Sequence, residues 1–171
     1  MGRHGYLLDT NILSYLAYPV DDPHRLRVQE RLKLLGNGPL FFMSAVSWGE
    51  IEYGWRSGSR QRMREHDRKE LERFFTVKVT RETGEAYAEI KTRLFEEFAP
   101  HERRRKDRRV EQLKDPLTGL ALGVDENDVW ITAQAIEHKL ILVSHDKMQN
   151  IKAVAAQAGL IGFEDWTGNE G

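Results

Sequence analysis

The chain has 171 residues, 40% of them hydrophobic and 31% charged, with a formal net charge of −1 and no cysteine. That length suits one domain, spanning 1–171, with a real core, and the composition excludes a disordered chain. The missing cysteines exclude a disulfide framework, a thiolate nucleophile and a cysteine-based zinc site. No apolar run is long enough to cross a bilayer and no signal-peptide core follows Met1, so a cytoplasmic protein with no membrane partner is expected.

Tyr6-Leu7-Leu8 reads as a short buried strand that ends abruptly in Asp9-Thr10-Asn11. Apolar residues at helical spacing follow to about Tyr18, and the helix stops before Pro19. Asp22-Pro23 opens a second helix with proline at its first position, closed by Gly36-Asn37-Gly38. Leu40-Phe41-Phe42-Met43 is a second strand, apolar throughout and therefore expected to be central in the sheet. Ser44 or Ser47 opens a helix through Trp48, Ile51 and Trp55. A charged helix over 60–75 then leads to a third strand at Val77-Lys78-Val79.

Thr80 caps a long helix whose apolar positions Ala86, Tyr87, Ile90, Leu94 and Phe98 recur at helical spacing up to Pro100. A basic block, Arg103-Arg104-Arg105-Lys106 with Arg108-Arg109, comes next. Turn chemistry at Asp115-Pro116-Leu117-Thr118-Gly119 ends this stretch. Glu126 begins another helix, Leu140–Val143 a fourth strand, about Lys147–Ala158 a last helix and Leu160–Phe163 a last strand. Strands alternating with helices imply an α/β protein: a three-layer α/β/α sandwich around a central, mostly parallel sheet of about five strands.

Four carboxylates fall where such a sheet would gather them. Asp9 and Asp146 follow buried strands, Glu50 lies about two turns after the second strand, and Asp128 opens the helix that feeds the fourth. In a parallel sheet these positions face one end, where ligands bind. Anions crowded in a cleft repel one another and raise each other's pKa, so a hard divalent cation with oxygen ligands is the natural companion. Each acid also has a purely structural reading. Asp9 and Asp146 can cap helices, Ser47 with Glu50 fits a capping box, and Asp128 suits a helix dipole. Trp48, Tyr53 and Trp55 are read as packing residues, and His145 as a loop or substrate-facing side chain.

Tyr-Leu-Leu-Asp-Thr-Asn at 6–11, Met-Ser-Ala-Val-Ser-Trp-Gly-Glu-Ile-Glu-Tyr-Gly at 43–54, Glu-Asn-Asp-Val-Trp-Ile-Thr-Ala at 126–133 and Leu-Val-Ser-His-Asp at 142–146 resemble PIN-domain nucleases. The nearest likeness is to the VapC-like toxins of type II toxin–antitoxin pairs, and Gly162-Phe163-Glu164-Asp165-Trp166 resembles their closing strand. The resemblance implies a PIN-like fold and a Mg²⁺- or Mn²⁺-dependent endoribonuclease. In it Asp9, Glu50, Asp128 and Asp146 are catalytic, Asp9, Asp128 and Asp146 hold metal, and Asn11 and Ser144 support those acids. It further implies an RNA substrate, a homodimer, a cognate antitoxin, and operator DNA reached only through that antitoxin. Arg103, Arg104, Arg105 and Lys106 are candidate RNA contacts. Other outcomes are a PIN nuclease of RNA maturation without an antitoxin, or an inactive RNA-binding PIN domain. The 100–123 segment is longer and more basic than in the shortest family members, which bears on how the acids are approached.

Overall fold

The structure, a computed structural model, describes residues 5–57, 65–101 and 108–168. Five strands form one sheet in the order β3-β2-β1-β4-β5: β1 (Tyr6–Leu8), β2 (Phe41–Ser44), β3 (Phe75–Val77), β4 (Ile141–Val143) and β5 (Phe163–Glu164). Every pairing is parallel, including β1 with β2 and with β4, so the expected mostly parallel sheet is wholly parallel among the described residues. The chain builds outward from β1 to β3, then jumps back to add β4 on the other side of β1. The crevice between β1 and β4 is therefore the topological switch point of the sheet.

The helices are α1 (Thr10–Tyr15), α2 (Pro23–Leu35), α3 (Ala45–Arg56), α4 (Glu65–Glu72), α5 (Arg81–Phe98), α6 (Glu126–Glu137) and α7 (Gln149–Gln157). Strand residues alternate between two cores, as a period of two requires. Tyr6, Leu8, Met43 and Val143 pack with Ile12, Leu13, Val28, Ile51 and Leu71, which belong to α1–α4. Leu7 and Leu142 point the other way, onto Ile131 and Ala135 of α6. Behind α6 a third cluster joins Ile90 and Leu94 of α5, Ile151 and Val154 of α7, and Val110, Leu113 and Val124 of the long connection. The result is helices on both faces of the sheet.

Helix starts follow the expected chemistry. Asp22 accepts from the His24 and Arg25 N–H groups with Pro23 in the first turn, and Thr80 and Thr83 form a reciprocal capping box. Three boundaries differ from the sequence reading. The strand expected at 77–79 lies at Phe75–Val77, because β2 ends at Ser44, which at once caps α3, leaving no backbone for Lys78 and Val79 to pair with. The last strand shifts from 160–163 to Phe163–Glu164, since the Leu160 N–H is taken by the Ala155 carbonyl at the end of α7. The first helix ends at Tyr15, and the N–H groups of Leu16, Ala17 and Tyr18 then turn back to carbonyls three residues earlier. Of the helix expected over 60–75, the described part is Glu65–Glu72.

Gly5 enters β1 where a side chain has no room: a Cβ there would stand 2.8 Å from Leu140 Cδ2 and 2.9 Å from Phe42 Cε2. No helix of the described residues is long and apolar enough to cross a membrane.

Candidate active site

Because Leu8 is paired with Val143, the next residues of β1 and β4 emerge side by side at the carboxyl edge of the sheet. Asp9 is the N-cap of α1 and is only 2% exposed. One carboxylate oxygen accepts the Thr10 N–H at 2.7 Å, and the other accepts the Ser144 hydroxyl at 2.7 Å. Capping and clustering are thus both true of this residue, not alternatives.

Ser144 is fully buried, and its oxygen also accepts from Asn11 Nδ2 at 3.2 Å and from the Asp146 N–H at 3.1 Å. Asn11 in turn donates to Asp146 Oδ2 at 3.0 Å and accepts the His145 N–H at 3.2 Å. Asn11 and Ser144 therefore tie the end of β1 to the loop after β4 and orient both acids. Asp146 does not cap α7: that helix starts at Gln149, and its cap residue Met148 contributes no side-chain bond. Its carboxylate is left exposed at the mouth of the crevice.

Glu50 is the sixth residue of α3, and the cap of that helix is Ser44, so the capping-box reading with Ser47 does not apply. The Glu50 carboxylate accepts from the Thr10 hydroxyl on one oxygen and from Asn127 Nδ2 on the other, the latter at 2.7 Å. Thr10 and Asn127 were not singled out in the sequence, although each sits between two residues that were. Asp125 caps α6 by accepting the Asn127 N–H at 2.8 Å, which fixes the turn that presents Asp128. Asp128 makes no side-chain hydrogen bond with any described residue.

Electrostatics separate these groups. Burial raises the Asp9 carboxyl to about 6, against the lowering effect of the Ser144 and Thr10 bonds, with Asp146 and Glu50 adding to the rise. Asp128 is pushed up to about 8, first by burial and then by Asp9, Asp125, Asp146 and Glu50. The same causes place Glu50 and Asp146 each within electrostatic reach of Asp9 and of Asp128, and those two within reach of each other. Glu52 and Glu126 stand apart from this set. Glu52 pairs with Arg68 at 3.0 Å, and Arg68 lies over Trp48 and Trp55, so this part of α3 is a packing knot with α4. Glu126 accepts from Tyr87 and from Lys91, the latter at 3.0 Å.

As arranged here, no three His, Asp or Glu side chains among the described residues are drawn close enough to enclose one ion. The donor chemistry nevertheless fits a hard divalent cation. Every group is a carboxylate oxygen. Asp9 is buried and Asp128 half-buried, with both pKa values raised first by burial and then by neighbouring carboxylates. No cationic side chain of the described residues pairs with either. Arg103, Arg104, Arg105 and Lys106 lie outside the described residues.

A family model of the PIN domain matches residues 6–156. The chain belongs to the PIN domain family. PIN domains are nucleases, and the acids gathered at the β1–β4 switch point lie within the matched span. A search of curated proteins gave no match. Among solved structures, this PIN domain is similar to VapBC2 from Rickettsia felis bound to a promoter DNA fragment, with 21% identity, 94% of this chain and 98% of that chain covered, and a TM-score of 0.63. It is also similar to DNA-bound VapBC from Salmonella typhimurium, at 17% identity, 95% and 98% coverage and a TM-score of 0.63. VapBC-1 from nontypeable Haemophilus influenzae gives 20% identity, the same 95% and 98% coverage and a TM-score of 0.63. At these identities the likeness is one of fold.

Proposed function

We propose that this PIN domain, a single nuclease unit over 1–171, is a Mg²⁺- or Mn²⁺-dependent endoribonuclease and the toxin of a type II toxin–antitoxin pair in the cytoplasm. The observation that carries the nuclease reading is the gathering of Asp9, Glu50, Asp128 and Asp146 at the switch point, with Asp9 and Asp128 raised to about 6 and about 8. Acids so raised are poised for a cation, whose charge would offset both the burial and the repulsion that hold their protons.

Asp9, Asp128 and Asp146 are the groups to hold the ion, with Asn11 and Ser144 fixing their orientation. A bound divalent cation would lower the pKa of a water and draw charge from the scissile phosphate. Glu50 orients the attacking water, its own carboxylate held still by Thr10 and Asn127. Water attacks phosphorus, the bond to the 3′ oxygen breaks, and that oxygen takes up a proton. The products are a 5′-phosphate and a 3′-hydroxyl, unlike the cyclic phosphates left by attack of a 2′-hydroxyl. Arg103, Arg104, Arg105 and Lys106 supply phosphate contacts along the RNA.

The toxin reading is supported by the similar structures, which are VapBC toxin–antitoxin complexes, two of them with DNA. The partners of this protein on that reading are an RNA substrate, a second copy in a homodimer, and a cognate antitoxin through which operator DNA is reached. The deciding experiment is cleavage of total RNA by the purified protein with Mg²⁺ and with excess EDTA, against an Asp9→Asn control. Activity is expected with Mg²⁺ alone, with 5′-phosphate ends at the mapped sites. Equal cleavage in EDTA would overturn the metal-dependent mechanism.

A further inference from the structure

Beside the acids stands a group of rings that the chemistry above does not use. Tyr15, the last residue of α1, has its ring stacked on that of His24, with centroids 4.6 Å apart and planes within 18°. His145, between Ser144 and Asp146, completes the group at 5.7 Å from Tyr15 and 5.3 Å from His24. Tyr15 Oη and His145 Nδ1 share a hydrogen bond of 2.8 Å. The rings come from three separate places in the chain, and none is fully buried.

The group is built onto the catalytic edge. Asn11 accepts the His145 N–H and with its amide donates to Asp146, so one side chain positions both the ring and the acid. The Tyr15 phenol is raised by burial and by the charges of Tyr18, Asp146, Asp165 and Asp22, which places Asp146 within its electrostatic reach. On the far side, Asp22 accepts the His24 N–H at 2.9 Å and stands 3.6 Å from His24 Nδ1. The rings are thus held before any ligand arrives, so little ordering cost falls on binding. Packing of α1 on α2 does not call for this arrangement: leucine would serve that purpose better than an imidazole with 37% of its side chain exposed.

We propose that Tyr15, His24 and His145 form a nucleobase-stacking subsite that receives a base of single-stranded RNA flanking the phosphate at the acids. This rests on the ribonuclease reading and adds to it the side chains that receive an unpaired base. His145 is tilted by 33° from His24 and by 50° from Tyr15, so the group offers partly exposed ring faces. Such faces next to a phosphate site are what single-strand binding uses, because every base has a π-face. The imidazole edges add hydrogen-bonding atoms that can favour one base over another.

The test uses the whole chain in EDTA, so that binding is read without cleavage. Short single-stranded RNA is titrated with 2-aminopurine placed at successive positions, and in parallel with each nucleotide made abasic in turn. For wild type, one position is expected to show quenching on binding, and its abasic form to bind at least about fivefold more weakly. His24→Leu should lose both the quenching and the discrimination, and His24→Phe should keep them. Thermal melts of both variants report folding; should His24→Leu fail to fold, the wild-type abasic series and His24→Phe still decide. Equal binding of every abasic RNA by wild type overturns the subsite, as does a folded His24→Leu that discriminates like wild type. Wild-type cleavage of the same RNA in Mg²⁺ separates the two ideas. Cleavage without discrimination overturns the subsite alone, whereas neither cleavage nor binding overturns the ribonuclease reading with it.

Discussion

At position 128 a carboxyl sits in the first turn of α6, where the helix dipole favours an anion, yet burial and four neighbouring carboxylates hold its proton to about 8. The balance has a measurable sign. A pKa raised from 3.8 to about 6 at Asp9 and about 8 at Asp128 means that the folded state binds more protons than the unfolded chain across that interval. Metal-free stability should therefore fall as pH rises from about 4 to about 8, the reverse of a salt-bridged aspartate. Asp128→Asn removes the charge at nearly constant shape, and near neutral pH in EDTA it should raise the melting temperature, by on the order of 1 kcal/mol after solvent screening. Asp9→Asn should gain less, because Asp9 also accepts from Ser144 and Thr10, and an amide can match only one of those acceptors. Mg²⁺ should stabilise wild type by mass action and Asp128→Asn far less. Melts of each protein in EDTA and in Mg²⁺ check all of this, and a destabilised Asp128→Asn in EDTA would leave the helix dipole as the dominant effect. Asp9 and Asp146 follow strands and Asp128 opens a helix, so their places could be read in the sequence. Glu50 lies within α3, and choosing metal over capping for the four rested on the resemblance to PIN domains. Thr10 and Asn127 could not be read there, since what they do depends on Glu50 arriving from another element. The Tyr15–His24–His145 group was invisible for the same reason.

At the scale of elements, caps did much of the positioning and were the most readable feature. Asp22-Pro23, Thr80 and Asp125 all start helices as local chemistry dictates, whereas the third strand was misplaced by two residues because its limits are set by β2. Ser44 shows how far a cap can reach. It is fully buried, accepts the Val46 N–H at 2.9 Å and donates to the Gln134 amide oxygen, while Gln134 Nε2 donates to the Val77 carbonyl at 3.2 Å. One hydroxyl thus joins β2, α3, α6 and, through Gln134, β3. Ser44→Ala removes the cap and leaves a buried amide oxygen without its donor, so it should cost about 1–3 kcal/mol in urea unfolding. A loss well under that range would mean that Gln134 finds another partner.

For the whole molecule, the net charge of −1 conceals an uneven distribution: acids gathered in one crevice, and a basic block at 103–106 in the connection whose later part packs against α5, α6 and α7. The periodicity of the chain revealed the α/β layers, since strands and helices alternate. It did not reveal the strand order, which depends on the long-range pairing of β1 with β4. Neutralising Arg103, Arg104, Arg105 and Lys106 together should weaken RNA binding and flatten its dependence on salt, with each lost phosphate contact reducing the slope by roughly 0.7 for a single strand. Binding titrations over a range of salt concentrations check it, and an unchanged slope would make the block ordinary solvated surface.

The jump from β3 back across β1 has a consequence in time as well as in space. Asp9 and Glu50 leave the ribosome before Ser144 and Asp146, which complete the crevice with them and are separated from Asp9 by more than a hundred residues of chain. Until β4 has emerged and paired with β1, Asp9 lacks the Ser144 hydroxyl and the crevice lacks Asp146. On the ribonuclease reading, a nascent chain of this topology gains its full set of acids only once β4 and the loop after it have been made and have paired with β1.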